Sequence, residues 1–474
     1  MRINWFSPLP PAATDIAHFT QRTLGALAAR ARVTLWTDQA EYDKRLEKLA
    51  KVRRFRGAEI NWTEFNRADI SFYNIGNNPL FHGGIWQMSQ RAPGVVVLHD
   101  LRLHHFFDGL YRDQWGDRAG YLALMEKHYG PQSRPDAEQC YGASASNINE
   151  MAERYPLTAA ACSGALGVLT HTCEAFELLK ICAQQPIAYA PLPFAATPVQ
   201  PKRAVGPPYR LIAFGYLGRN RRLAQIFAAL GGMPEKAQFR LDIYGAVADR
   251  AEVEDEINEQ GLRGITKLHG FAPENKLDAA LKTAHLAFNL RYPTMGEASG
   301  SQLRIWAHSL PALVTKTGWY ATLPENTVAV VRPEREISDI RQHLRDFLAA
   351  PERFAALGEK GLQLLQTEHS PETYADTLLE IAAQAKSWRG KRWAFDLAER
   401  AAVLSAGWHS PAGFALAQEK LSHEIALLAG WIEPNRDNYA LTTGVKPIPG
   451  VAPPGWREKV QQKIDSWLLG ARAE

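Results

Sequence analysis

His285-Leu286-Ala287-Phe288-Asn289-Leu290 runs straight into Arg291-Tyr292-Pro293-Thr294-Met295-Gly296-Glu297-Ala298-Ser299-Gly300-Ser301-Gln302-Leu303-Arg304. The apolar run has the length and composition of a strand buried in a parallel sheet. Gly296, Ser299, Gly300 and Ser301 then turn the chain, and helical spacing follows from about Gln302 to Ser309. Pro311 ends that helix, and Ala312-Leu313-Val314 starts another strand. Strand, small-residue turn and helix in that order aim the unpartnered first N–H groups of the helix at an anion. Glu297 breaks the pattern, because a carboxylate repels phosphate; its place is with hydroxyl groups beside the anion. The plain alternative is a surface turn carrying one exposed glutamate.

The same alternation extends outward. Upstream, Leu211–Gly215, Phe239–Gly245 and Ile265–Phe271 read as strands, with helices over about 223–230, 251–260 and 274–283. A Pro-rich connector, Thr197-Pro198-Val199-Gln200-Pro201-Lys202 with Gly206-Pro207-Pro208, separates this half from an earlier one. There Arg2–Phe6, Val33–Thr37, Asp69–Ile75, Gly94–Leu98 and Gly164–His171 read as strands, with a helix over about 16–30 after the first. The predicted fold class is α/β, with two Rossmann-like β/α/β domains over residues 1–195 and 207–369.

Open α/β sheets bind ligands beyond the carboxyl ends of their strands. Arg219-Asn220-Arg221-Arg222 follows one such end. Cations at a helix start oppose its dipole and need another reason to be there, and guanidinium matches phosphate oxygens with a planar fork. Facing the Gly300 turn they make a diphosphate site; a solvated helix start is the alternative. His99-Asp100-Leu101-Arg102-Leu103-His104-His105 follows the clearest strand of the first half. Three histidines invite a zinc reading. His104 and His105 are adjacent, however, with no Glu or Cys at ligand spacing, so His99 is read as a hydrogen-bonding group and no metal is expected. Thr14 and Asp15 close the Pro-rich loop after the first strand, where either could cap the next helix.

Bulk properties narrow the class. The 474 residues suffice for two or three domains, and apolar and charged shares of 46% and 22% are those of a globular chain. No run is long enough to span a bilayer, and the N-terminus lacks a signal pattern. Cys140, Cys162, Cys173 and Cys182 show neither a metal-ligand spacing nor a disulfide framework, which points to a reducing cytoplasm. A net charge of +4 permits an acidic acceptor or an anionic surface and demands neither, and no nucleic-acid partner is expected. Lys44, Arg45, Lys48, Lys51, Arg53, Arg54 and Arg56, interleaved with Leu46, Leu49 and Val52, suggest a basic amphipathic helix. A solvated surface face is the commoner use of such a run; peripheral contact with the inner face of a membrane is the alternative.

Several motifs appear in a fixed order over about residues 1–385: Trp5-Phe6-Ser7-Pro8-Leu9-Pro10-Pro11, Val97-Leu98-His99-Asp100, Phe214-Gly215 to Asn220-Arg221-Arg222, Leu268-His269-Gly270-Phe271, Pro293-Thr294-Met295-Gly296-Glu297 and Trp319. Together they resemble family 4 of the GT-B glycosyltransferases, which are retaining and use nucleotide-sugars. The resemblance implies an acceptor domain over 1–195, a donor domain over 207–369 and a helix over 370–387 that crosses back to the first domain. Beyond the resemblance, helical periodicity predicts a helical C-terminal extension over residues 388–474, in which Trp388, Trp393, Trp408, Trp431, Trp456 and Trp467 are conspicuous. Glu297 would bind hydroxyls of the donor sugar, and the backbone from Ser299 to Gln302, next to Gly296, would receive the diphosphate. Arg221, with Arg219 or Arg222, would neutralise the departing diphosphate. His99 would approach the sugar from the opposite domain, and Thr14, Asp15 and Asp100 would lie in the cleft. A nucleotide-diphospho-sugar is then the co-substrate, a glycan, lipid-linked molecule or protein is the acceptor, and no metal or other cofactor is required.

Two positions depart from the family's pattern. A second Glu is expected eight positions after Glu297, where Ile305 stands; aligned on Pro311, the position is Arg304. Asp15 stands where a small residue is expected, which turns its loop toward the acceptor. The resemblance also implies front-face attack, with the leaving diphosphate taking the acceptor's proton and the product used in polysaccharide or glycoconjugate assembly. A nucleotide-sugar epimerase on the same fold and a non-catalytic sugar- or nucleotide-binding subunit are the competing readings.

Overall fold

In the computed structural model, which describes residues 1–56, 59–142, 147–195, 201–247 and 249–405, the apolar runs pair into two sheets. The first contains β1 (Arg2–Phe6), β2 (Arg32–Thr37), β3 (Lys51–Arg54), β4 (Ile70–Ile75), β5 (Val95–Leu98), β6 (Gly167–Thr170) and β7 (Ile187–Tyr189), in the order β3-β2-β1-β4-β5-β6-β7. The second contains β8 (Tyr209–Phe214), β9 (Phe239–Tyr244), β10 (Thr266–Gly270), β11 (Leu286–Asn289), β12 (Ala312–Thr315) and β13 (Ala329–Val331), in the order β10-β9-β8-β11-β12-β13. Every pairing within them is parallel. Both orders reverse at their centre, between β1 and β4 and between β8 and β11. At such a point successive connections leave on opposite faces of the sheet, and a crevice opens beyond the strand ends. The segments after β1, β4, β8 and β11 are therefore the ones placed to hold a ligand.

Parallel strands covered on both faces need apolar residues at consecutive positions, and all four residues of β5 and β11 are buried. On one face of the first sheet the Phe6 ring stacks between Trp36 and Tyr73, with centroids 5.7 and 4.9 Å away. On the other, Trp5 packs on Phe19 and Phe72. The buried Trp5 indole donates to Thr20 Oγ1 at 3.1 Å, satisfying its N–H and tying β1 to the helix Asp15–Ala28.

A single helix, Pro371–Ser405, leaves the second sheet's side and packs on the Asp15 helix and on β6. Tyr374, Leu378, Ile381 and Ala385 are buried there, and Arg30 pairs with Asp376 at 2.5 Å. It runs without a break past Trp388 and Trp393. The remainder of the expected extension, with Trp408, Trp431, Trp456 and Trp467, lies outside the described residues, as does Thr197–Gln200 of the connector.

The basic amphipathic helix does not form. Lys44–Lys48 is one 3-10 turn, and Lys51–Arg54 is the edge strand β3. The alternation that buries Val52 and exposes its neighbours has the period of a strand. Glu64 takes both Lys51 and Arg53, and Asp43 takes Arg45 at 2.7 Å. Charged residues on an edge strand also discourage pairing with another chain. No helix among the described residues is long and apolar enough to cross a membrane.

Candidate active site

Two cavities that share a wall lie between the sheets. The inner one, about 480 Å³, is bordered by Asp100, His99 and Glu297 among others. The outer one, about 860 Å³, is bordered by Tyr244, Phe271, Glu274 and Arg304. Thr14, Asp15, Arg22, Arg221, Gly300 and Ser301 border both.

The helix Gly300–Ala307 points its N-terminus at this shared wall. Ser299 caps it by accepting the Gln302 N–H at 3.1 Å. The Gly300 and Ser301 N–H groups have no acceptor among the described residues, which leaves positive charge facing the cavity. Arg221 arrives beside them from the turn after β8. It is buried, and among the described residues its guanidinium makes one hydrogen bond, to the neutral Asn289 Oδ1 at 3.0 Å. Burial, with Arg291 nearby, pushes its guanidinium down to about 10. A buried cation without a carboxylate is costly and favours an incoming anion.

Glu297 is held from three sides: by the Arg291 guanidinium, by Thr294 Oγ1 at 2.7 Å and by the Met295 N–H at 2.8 Å. Burial works to raise its pKa, but Arg291 and the hydrogen bonds outweigh it, so the carboxyl stays below its ordinary range. The charged carboxylate keeps lone pairs for ligand hydroxyls. Arg291 is itself kept charged, against burial, mainly by Glu297.

The first sheet supplies the opposite wall. Thr14 caps the Asp15 helix, its hydroxyl accepting the Ile16 N–H at 3.4 Å. Asp100 accepts the Asn77 N–H at 2.8 Å, and burial together with the charge of Glu297 pushes it up to about 7. Asn74 donates to the Phe6 carbonyl, so its Oδ1 is free to accept from His99 Nε2 at 3.0 Å. That assignment puts the His99 proton on Nε2 and leaves Nδ1 an acceptor. Burial and the neighbouring His171 lower its pKa well below the ordinary histidine value, so the ring is neutral. His82 and His171 each engage a backbone carbonyl through Nδ1, and burial lowers both to about 4. Among the described residues no three His, Cys, Asp or Glu side chains are grouped to hold a metal ion. His104 instead bonds the Tyr155 carbonyl and Tyr121 Oη, and His105 bonds Asn149.

Of the expected residues, Arg221, Glu297, His99, Thr14, Asp15, Asp100, Ser299, Gly300 and Ser301 meet at the inner cavity. Arg219 and Arg222 do not. Arg219 is exposed and pairs with Glu252 at 2.9 Å, and Arg222 forks onto Glu336. The turn Arg219–Arg221 is 3-10, which throws successive side chains about 120° apart, so only one of these arginines faces the crevice. Gln302 is buried and accepts from Asn289 at 2.9 Å. Gly296 lies in the seam between the two halves: a Cβ there would stand 2.5 Å from Leu101 Cβ, and its φ of +78° favours glycine. The Leu101 and Arg102 N–H groups donate to the adjacent Met295 carbonyl at 2.9 and 2.8 Å. Ile305 is core, whereas Arg304 borders the outer cavity and pairs with Asp278 at 2.8 Å and Glu274 at 3.2 Å.

Arg291, Glu274, Tyr216 and Arg22 escaped the sequence reading. Tyr216 Oη crosses the cleft to donate to the Ala13 carbonyl at 2.7 Å. Arg291 lies six residues before Glu297 and directly after the apolar run, a signal that was present.

No protein-family model and no curated protein matches the chain. Solved structures do. Sucrose-phosphate synthase from Thermosynechococcus elongatus aligns over 81% of this chain and 98% of its own, with TM-score 0.57 and 16% identity. A glycosyltransferase from Rickettsia africae aligns over 81% and 98%, with TM-score 0.56 and 9% identity. Anabaena Alr3699/HepE in complex with UDP-glucose aligns over 81% and 99%, with TM-score 0.54 and 14% identity. Likeness at these identities concerns the fold: two facing parallel sheets in the GT-B arrangement.

Proposed function

We propose that the chain is a retaining glycosyltransferase of the family 4 type, moving a sugar from a nucleoside-diphosphate donor to an acceptor hydroxyl. The observation that carries this reading is the buried Arg221, which among the described residues has no carboxylate partner, beside the Gly300 and Ser301 N–H groups, which have no acceptor among them. That geometry suits a diphosphate. The Anabaena structure, solved with UDP-glucose, supports the ligand class.

In this reading the sugar projects into the inner cavity, where Glu297 takes its hydroxyls and His99 Nδ1 accepts another. The nucleoside extends into the outer cavity toward Phe271 and Glu274. As the bond from the anomeric carbon to the diphosphate oxygen breaks, negative charge grows on the diphosphate. Arg221 and the helix N–H groups are already in place to meet it, so little reorganisation is needed. The acceptor hydroxyl attacks from the same face, its oxygen bonds the anomeric carbon, and its proton passes to the leaving diphosphate. Charge neutralisation by these groups means that no metal is required. The acceptor is a glycan, a lipid-linked molecule or a protein, in a cytoplasmic assembly step.

The test is a thermal-shift screen of UDP-, GDP- and ADP-sugars, followed by turnover with the stabilising donor. A cognate donor should raise the melting temperature by mass action and undergo slow hydrolysis, with the anomeric configuration retained by NMR. Failure of every donor to bind, conversion of the donor to its epimer without acceptor, or an inverted product would each overturn the proposal.

A further inference from the structure

Arg22 projects from the helix Asp15–Ala28, on the first sheet's side of the cleft, and borders both cavities. Its guanidinium lies over the Phe194 ring, 4.5 Å from the centroid, which fixes its direction. Among the described residues it has neither a hydrogen bond nor an ion pair. Asp15 and Glu274 favour its charge from a distance, while burial and Arg304 oppose it, burial being the largest influence.

What it faces is another positive pole. A Cβ placed on Gly300 would stand 3.8 Å from Arg22 Nη1. Gly300 is the first residue of an eight-residue helix whose first two N–H groups, those of Gly300 and Ser301, have no acceptor among the described residues. On the same wall, a Cβ on Gly215 would stand 3.4 Å from Arg221 Nη2 and 3.9 Å from Ser301 Oγ. Arg221 is only 7% exposed and has no carboxylate partner among the described residues. Two guanidinium groups and a helix N-terminus thus converge from opposite sides of the cleft. Like charges so arranged repel one another until an anion sits between them.

We infer that Arg22 is a diphosphate-binding residue supplied by the opposite domain, so that the donor's diphosphate bridges the two halves of the protein. This inference rests on the diphosphate site proposed above and adds a residue and a consequence to it. An anion held by one half alone would bind whether the cleft is open or closed. An anion gripped from both halves ties them to each other through the ligand.

The test uses the full chain and its Arg22→Gln, Arg22→Lys and Arg221→Gln variants. Calorimetry measures binding of UDP, GDP, ADP, the corresponding monophosphates and inorganic pyrophosphate. Arg22→Gln should weaken diphosphate and pyrophosphate binding at least tenfold and leave monophosphate binding within about twofold, because charge-assisted bonds to the distal phosphate are lost. Arg22→Lys should recover part of the loss. If Arg221→Gln loses diphosphate binding while Arg22→Gln binds as the wild type does, the inference fails and the site stands. Equal losses for mono- and diphosphates would also overturn it, by showing that Arg22 acts on the site's structure. If the wild type binds none of these ligands, the site reading fails with it.

Discussion

Arg221 donates through Nη1 to Asn289 Oδ1 at 3.0 Å, a cation buried against a neutral amide. The pair is aimed but not neutralised. Arg221→Gln should therefore lower transfer by about a hundred- to a thousandfold, the range seen when one preorganised donor is removed from a developing oxyanion. Its unfolding temperature should stay level or rise, because an unpaired buried charge has been removed. Steady-state rates with circular-dichroism melts check both; a large loss of stability would show that Arg221 holds the fold.

Glu297 and Arg291 form the opposite case, a buried pair in which each keeps the other charged. Glu297→Gln should abolish transfer and cost about 3–5 kcal/mol, since Arg291 is left unmatched. Arg291→Met combined with Glu297→Gln should restore much of the stability and none of the activity. The sign with pH follows from the depressed folded pKa: the carboxylate's contribution is full above its ordinary 4.5 and is lost as pH falls through the folded value. Urea titrations at pH 7 and pH 4 should show a smaller deficit for the variant in acid.

Asp100 carries the reverse sign. Its pKa rises from 3.8 to about 7, so the folded state disfavours the ionised form. That penalty is absent below pH 3.8, grows between 3.8 and about 7 and is constant above. Asp100→Asn removes it. The gap in melting temperature, variant minus wild type, should widen from pH 4 to 7 and then level. A gap that does not change with pH would mean that Asp100 ionises as an ordinary carboxyl group.

Gly296→Ala tests the seam. The residue has a φ of +78°, and the added methyl would meet Leu101 Cβ at 2.5 Å. Strain of about 1–2 kcal/mol from the left-handed backbone and about 1–3 from overpacking should add. Activity should fall with stability, because the neighbouring Glu297 is positioned by the same segment. A variant within about 0.5 kcal/mol of wild type by urea titration, the usual scatter for a surface change, would remove the seam from this account.

The fold was legible because its signal is local. Buried strands such as Val95–Leu98 announce themselves in four residues, and the turn at Ser299–Gly300 announces its helix. The arginines were not equally legible. Arg219, Arg221 and Arg222 look alike in sequence, and the carboxylates that claim two of them, Glu252 and Glu336, lie 33 and 114 positions away. The helix offered for the basic run from Lys44 fails for a related reason. Three of its cations, Arg45, Lys51 and Arg53, answer to Asp43 and Glu64, and a short 3-10 turn followed by a strand mimics a helical face over so few residues. Arg22 stands seven positions after Asp15, one helical face, but nothing nearby in sequence says that the face looks across a cleft.

The helix Pro371–Ser405 sets an order on the life of each new chain. The first sheet is complete in sequence at Tyr189, yet Leu378, Ile381 and Ala385 cover its β6 side. Roughly 200 residues separate Tyr189 from Ala385. At ribosomal speeds of about 5–20 residues per second, that cover arrives about 10–40 s late. The domain begun first is finished last. Until then the β6 side of that sheet lacks its cover, and a fragment ending at the connector would lack it permanently.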